Sequence, residues 1–239
     1  MSNISVELYN AVRQDALPTD IKLNNRTYTV RSVTPVKEPS PDTLLLNTLT
    51  GLVDYLKTNV DKLQISELIC HVAGSNRVRV FSGLHGDFLQ RSAYVTAEFI
   101  QEPFPFGNFL NAEDFNIKMQ ACFCDSDLQA TDKGLILKYV GNVRTEVVSG
   151  VGDDGVSQEM TVRAGIASVE NVILPNPVSL RPYRTFNEIE QPESKFVFRA
   201  QDGPRFALFE ADNGAWKNEA MKNIKHFLEF EIPELHVIA

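Results

Sequence analysis

The stretch SKFVFRAQDGPRFALFEAD, Ser194 to Asp212, leaves this chain the least freedom. KFVFR and RFALFE are rich in aromatic and β-branched residues, and their large apolar side chains recur with a period near two. That spacing puts them on one face of a strand. QDGP between them supplies the turn, because the glycine of Asp-Gly takes positive φ at little steric cost. A β-hairpin over these residues is the firmest local expectation, and the rest of the chain has to cover its aromatic face.

Four segments carry helical spacing. Over Asp42–Asp61, the residues Leu45, Leu49, Leu52, Val53, Leu56 and Val60 form one apolar stripe, with Gly51 inside it at a cost of about 1 kcal/mol relative to Ala. Asn111 is a favoured cap before a helix with Phe115, Met119, Cys122 and Phe123 on one face. DSDLQATDKGLILKYVGNV reads as a helix or helix pair, interrupted or ended near Gly134. Asn213 can cap a helix with Trp216, Ala220, Ile224, Phe227 and Leu228, which Pro233 ends before a terminal strand at LHVIA. A short helix at SVELYNAVRQ and a strand at RTYTVRSV are weaker expectations.

The segments ISELICHVA, NRVRVFS and RSAYVTAEFI read as strands, the first two joined by GSN. In VENVILPNPVSLRPYRTF, the prolines at 175, 177 and 182 confine an extended segment to an edge, a bulge or a loop. Helices and strands do not alternate regularly. The pattern predicts an α+β fold with mixed or antiparallel sheets and about four helices, not a doubly wound parallel sheet. A change of period places a boundary between an N-terminal α+β region, 1–142, and a β-rich region with a late helix, 143–239, unless the two form one continuous domain.

Composition narrows the classes of function. The chain has 239 residues, 43% of them hydrophobic, and a net charge of −8, which disfavours generic binding to nucleic acid or anionic membranes. Three cysteines, Cys70, Cys122 and Cys124, suggest no disulfide framework. TLLLNTLTGLVDYL is too polar to span a bilayer, and MSNISVELYN lacks the form of a signal peptide. These features lead us to expect a soluble intracellular protein.

GVGDDG, Gly150 to Gly155, spells the dinucleotide-binding fingerprint. That motif works only between a strand and the helix whose N-terminus holds the pyrophosphate. Here the next residues, VSQEMTVRAG, have a strand pattern, and Asp153 and Asp154 would set two carboxylates against a phosphate. We expect a hairpin over 144–163 turning at Asp153-Asp154-Gly155, and no nucleotide cofactor. CFC at 122–124 has the wrong spacing for structural zinc. The histidines at 71, 85, 226 and 236 are scattered, and no hydrolase or NTPase signature is present. No catalytic residue, metal ligand or cofactor is expected.

Two groups stand out as candidates. Arg77 and Arg79 share one face of a strand, and RPYR sets Arg181 and Arg184 around Tyr183. Guanidinium groups beside an aromatic ring suit a small anionic ligand, although arginines on a solvated face paired with carboxylates would look the same. In QEPFPFGNFL, Phe104, Phe106 and Phe109 either tuck under the domain or form an oligomer interface.

LNTLTGLVDYL, NVILPNPVSLRPYRTF, EQPESKFVFR and ALFEADNGAWKNEA resemble segments of uncharacterised proteins encoded by bacteriophages and prophages of Gram-positive bacteria. The likeness runs from about residue 40 to the end. It implies a phage origin and action in the host cytoplasm, and brings no catalytic residue with it. Taken together, the expectation is a non-enzymatic phage accessory protein that forms a homo-oligomer and binds a host protein or a small anionic ligand, without a membrane role. The alternatives are a factor assisting single-stranded DNA or recombination, and an unrecognised enzyme using His71 or His85.

Overall fold

The expected hairpin forms: β12 (Ser194–Gln201) pairs antiparallel with β13 (Arg205–Glu210), Gln201 facing Arg205 and Phe198 facing Leu208. In the computed structural model of the chain, the described residues are 20–23, 26–29, 40–86, 89–125, 131–145, 148–153, 158–162, 174–201 and 204–239. They divide into two compact units, Met1–Ser40 and Pro41–Ala239. In the first, β1 (Asp20–Leu23) and β2 (Arg26–Thr29) make an antiparallel ribbon. The helix expected at SVELYNAVRQ lies outside the described residues.

The second unit contains two five-stranded sheets. In the antiparallel one, β13 is flanked by β7 (Leu110–Asn111), and β12 is followed by β11 (Val178–Pro182) and then β8 (Phe123–Cys124). Alternate residues Phe196, Phe198 and Ala200 point into a core shared with Phe206 and Leu208. Helices α2 (Ala112–Cys122) and α3 (Lys133–Thr145) supply Phe115, Met119, Ile136, Tyr139 and Val140 to that core. Asn111 caps α2 as expected, its Oδ1 accepting from the Asp114 N–H at 2.9 Å. Phe123, expected on the helix, instead opens β8.

The proline-bearing strand β11 sits next to the sheet edge. Only Arg181 and Pro182 pair with the two-residue β8, so Pro182, which has no N–H to donate, stands at the end of the strand.

The other sheet is mixed. Its antiparallel centre is β4 (Ile69–Gly74), β5 (Arg77–Phe81) and β6 (Ala93–Glu98), as the alternation of Val78 and Val80 with Arg77 and Arg79 requires. Two short parallel strands flank it, β14 (His236–Ile238) beside β4 and β3 (Leu44–Leu46) beside β6. Helices α1 (Leu49–Thr58) and α4 (Trp216–Glu231) add Leu49, Leu52, Leu56, Ile224 and Leu228 to its core.

Among the described residues, four α-helices with one antiparallel and one mixed five-stranded sheet, together with two antiparallel ribbons, make this an α+β fold. Two helix boundaries differ from expectation. The stripe over Asp42–Asp61 is cut to Leu49–Thr58 because Thr48 caps the first turn, accepting from the Gly51 N–H at 3.0 Å, and Asn59 leaves the helix at φ 47°. A Cβ on Gly51 would lie 3.0 Å from that same hydroxyl, a tight contact that the Thr48 side chain would have to ease. Asn213 is not the cap of α4; it sits in a left-handed turn at φ 51°, and Ala215 occupies the cap position.

The first described element after the GVGDDG stretch is a strand. Val148–Asp153, β9, pairs antiparallel with Gln158–Val162, β10, with Asp153 opposite Gln158. A strand follows where the dinucleotide fold needs a helix. Residues 154–157, including most of the expected turn, lie outside the described residues.

Candidate functional site

Three chain segments from the two sheets meet around one arginine. The β4–β5 turn, Ser75-Asn76, is tied on both sides: the Phe99 N–H donates to the Asn76 carbonyl at 2.9 Å, and the Thr185 hydroxyl donates to the Ser75 carbonyl. After β11, the Tyr183 N–H donates to the Cys122 carbonyl at 2.8 Å, and the Arg184 N–H donates to Gln191 Oε1 at 3.1 Å. The third segment is the end of β13 and the start of α4, with Glu210 and Trp216.

Arg184 is enclosed. Its side chain is 7% exposed. Nη1 donates to Glu210 Oε1 at 2.6 Å and Nη2 to the Ser194 hydroxyl. The guanidinium carbon lies 4.0 Å from the Trp216 ring centroid and 5.6 Å from that of Phe196. Burial lowers its pKa to about 10, against the opposing pull of Glu210 and Asp212. The group therefore stays charged at neutral pH. Arg184 Nε and Trp216 Nε1 are both buried and have no hydrogen-bond partner among the described residues.

Beside this stack lies a cleft of about 390 Å3, lined by Arg184, Glu210, Trp216 and Tyr183, by Ser75 and Asn76 from the turn, and by Phe99, Gln101, Pro103 and Phe106 from the segment after β6. Ser75, Asn76 and Gln101 make no side-chain hydrogen bond with a described residue.

Of the four candidate arginines, Arg184 alone lines the cleft. Arg77 donates to Glu98, its neighbour across β5 and β6. Arg79 projects from the same exposed side of β5, opposite His71 and Thr96. Arg181 is buried, pairs with Glu190 and lies 3.7 Å from Glu193; the bond to Glu190 raises its pKa. Three of the four guanidinium groups are thus matched by carboxylates of their own chain.

The aromatic loop packs largely inward. Phe104 is 3% exposed and meets Phe123 and Phe115 with centroids at 5.1 and 5.8 Å. Phe106 is half-buried and stacks on Phe196 at 5.0 Å. Phe109, half-buried, meets Phe209 edge-on at 6.1 Å, and Phe209 is 37% exposed.

The thiols are poor nucleophiles. Burial pushes Cys70 up to about 12 and raises Cys122 and Cys124 as well. Cys124 Sγ donates to the Arg181 carbonyl at 3.2 Å. His85 Nε2 sits 2.8 Å from the hydroxyl of Ser92, which is buried. Among the described residues, no group of three His, Cys, Asp or Glu side chains is placed to hold a metal ion, and no helix is long and apolar enough to cross a membrane.

No family model, curated protein or solved structure matches the chain.

The residue sequence reasoning missed is Trp216. Periodicity makes it one position of a helix stripe, although it is the only tryptophan in the chain and stands at the first turn of α4 rather than in its middle. A lone tryptophan at a helix start was the available signal. Nothing local marked Glu210, Gln101 or Asn76.

Proposed function

We propose that this chain is a non-enzymatic binding protein that takes a small ligand, or one side chain of a protein partner, in the cleft beside Arg184 and Trp216. One observation carries the reading: Phe99, Phe106, Tyr183 and Trp216 line the same cleft as the uncommitted side chains of Ser75, Asn76 and Gln101. Apolar and aromatic walls with a few converging polar groups, at volumes of about 300–1,000 Å3, are the usual makeup of ligand sites. Thiols raised by burial weigh against covalent catalysis by cysteine.

The resemblance to phage proteins supports a role as an accessory factor in the host cytoplasm, outside the virion. Self-association at the Phe109–Phe209 pair completes the proposal, since these two rings lie near the surface while Phe104 is engaged in the core. Native mass spectrometry of protein purified from the expressing cell tests both parts. The expected spectrum is an oligomer retaining a small molecule or a partner. A bare monomer, in a preparation whose Trp216 fluorescence also ignores cell extract, would overturn the reading. For assembly alone, Phe109→Asp is the informative variant; Phe106→Asp would break the Phe196 stack and confound folding with association.

A further inference from the structure

The cleft's walls are held in place from behind. Phe106 stacks on Phe196 with ring planes 11° apart, Phe99 leans on Phe186 at 6.0 Å, and the Arg184 guanidinium covers a face of Trp216. These rings are oriented before any ligand arrives, which spares a ligand the cost of ordering them.

The charges are also committed. Glu210 and Ser194 hold the Arg184 guanidinium, and Glu210 itself lines the cleft. An isolated phosphate would meet one cation already matched by a carboxylate, and the repulsion of that carboxylate. The groups left for a ligand are neutral: the Ser75 hydroxyl and the amides of Asn76 and Gln101, each amide offering two donors and an acceptor oxygen.

A partner's aromatic side chain would match this set poorly, because Phe brings no polar atom, Tyr one hydroxyl and Trp one N–H. A nucleobase brings a flat π face together with several donors and acceptors on one edge, and Asn and Gln amides are suited to such edges. Resting on the reading of this cleft as a binding site, we propose that it takes an unpaired nucleobase, whether of a free nucleoside or nucleotide or of a single strand. The rings stack the base, and the Ser75 hydroxyl and the Asn76 and Gln101 amides read its edge.

Trp216 is the only tryptophan, so all of the tryptophan fluorescence comes from a residue that lines this cleft, and the Asn76 and Gln101 variants tie any quenching to it. The full chain is titrated, by calorimetry and by Trp216 quenching, with the four ribonucleosides, their monophosphates, a single-stranded oligonucleotide, inorganic phosphate and N-acetyl-tyrosinamide. The expected result is that at least one nucleoside quenches Trp216 and inorganic phosphate does not. Asn76→Ala and Gln101→Ala, both at exposed positions, should each weaken that binding about tenfold or more. Tighter binding of the monophosphate than of the oligonucleotide assigns the base to a free nucleotide; the reverse order assigns it to a strand. If N-acetyl-tyrosinamide quenches and no nucleoside, nucleotide or oligonucleotide does, the cleft reading survives and the nucleobase is wrong. If no compound binds, both fall. A nucleoside bound equally well by wild type and both variants, or phosphate bound as tightly as the nucleotides, also overturns the inference.

Discussion

The guanidinium carbon of Arg184 lies 4.0 Å above the Trp216 ring, closer than to either phenylalanine beside it. The two residues belong to different layers. Arg184 follows β11 of the antiparallel sheet, whereas Trp216 opens α4, whose Ile224 and Leu228 pack into the core of the mixed sheet. The stack therefore joins the two halves of the second unit and sets the wall of the cleft between them.

Arg184→Ala removes the stack, the bonds to Glu210 and Ser194, and the volume under Trp216. Glu210 is partly solvated and survives unpaired, so the loss is mainly packing and the desolvated cation–π contact. We expect about 1–3 kcal/mol. Arg184→Lys should recover only part of it, because an ammonium lacks the flat face that lies on the indole. Urea midpoints at unchanged slope measure both, and a variant as stable as wild type would refute the linking role.

Alkaline pH should weaken the fold through its buried acids. Burial raises Cys70 from 9.0 to about 12 and Tyr139 from 10.0 to about 12. Each group stays protonated in the folded chain after it has ionised in the unfolded one, so the unfolded chain binds fewer protons and stability falls as pH rises. For Cys70 the window runs from about 9 to about 12 and the slope approaches roughly 1.4 kcal/mol per pH unit. Stability measured from pH 8 to 11 should decline less steeply in Cys70→Ala than in wild type; parallel curves would show that Cys70 does not carry the effect.

How far the sequence reveals this molecule depends on the range of each interaction. The β12–β13 hairpin and the Asn111 cap are local, and their residues announce them. Leu44–Leu46 falls within a helix stripe because leucines serve either period, and only its parallel pairing with β6, about fifty residues onward, makes it a strand. The pairing of β14 with β4 joins residues more than 160 positions apart and left no local trace. The cleft is the extreme case. RPYR contains Arg184, but the residues that share its cleft come from three other segments, and Arg181 of the same motif pairs with Glu190 instead.

Gly107 should resist substitution. It sits at φ 77°, and its N–H donates to the Leu208 carbonyl at 2.8 Å, pinning the aromatic loop to the β13 strand. A Cβ there would touch only the Phe209 ring, at an ordinary 3.9 Å, so the penalty is one of backbone conformation. Gly107→Ala should cost about 1–2 kcal/mol. A thermal midpoint equal to wild type would show that the loop readily finds another path.

Asp132 closes the strand edge that β8 is too short to cover. Its Oδ2 accepts from the Ser179 N–H at 2.8 Å, and its own N–H donates to the Ser179 carbonyl at 3.1 Å, so this one residue pairs with β11 as a neighbouring strand would. Its carbonyl meanwhile accepts from the Ile136 N–H at 3.0 Å, the first turn of α3. The acidic side chain thus serves the sheet while the backbone starts the helix. Asp132→Ala keeps the backbone bonds but leaves the Ser179 amide without its acceptor, at a cost of about 1–2 kcal/mol. Asp132→Asn keeps an acceptor oxygen in the same place and should lose less than half of that. Hydrogen exchange separates this from a general loss of stability: the Ser179 amide should exchange faster in Asp132→Ala relative to amides of the β12–β13 hairpin, and return toward the wild-type rate in Asp132→Asn. Uniform acceleration of all these amides in the alanine variant would mean that Asp132 acts by starting α3 and not by closing the sheet.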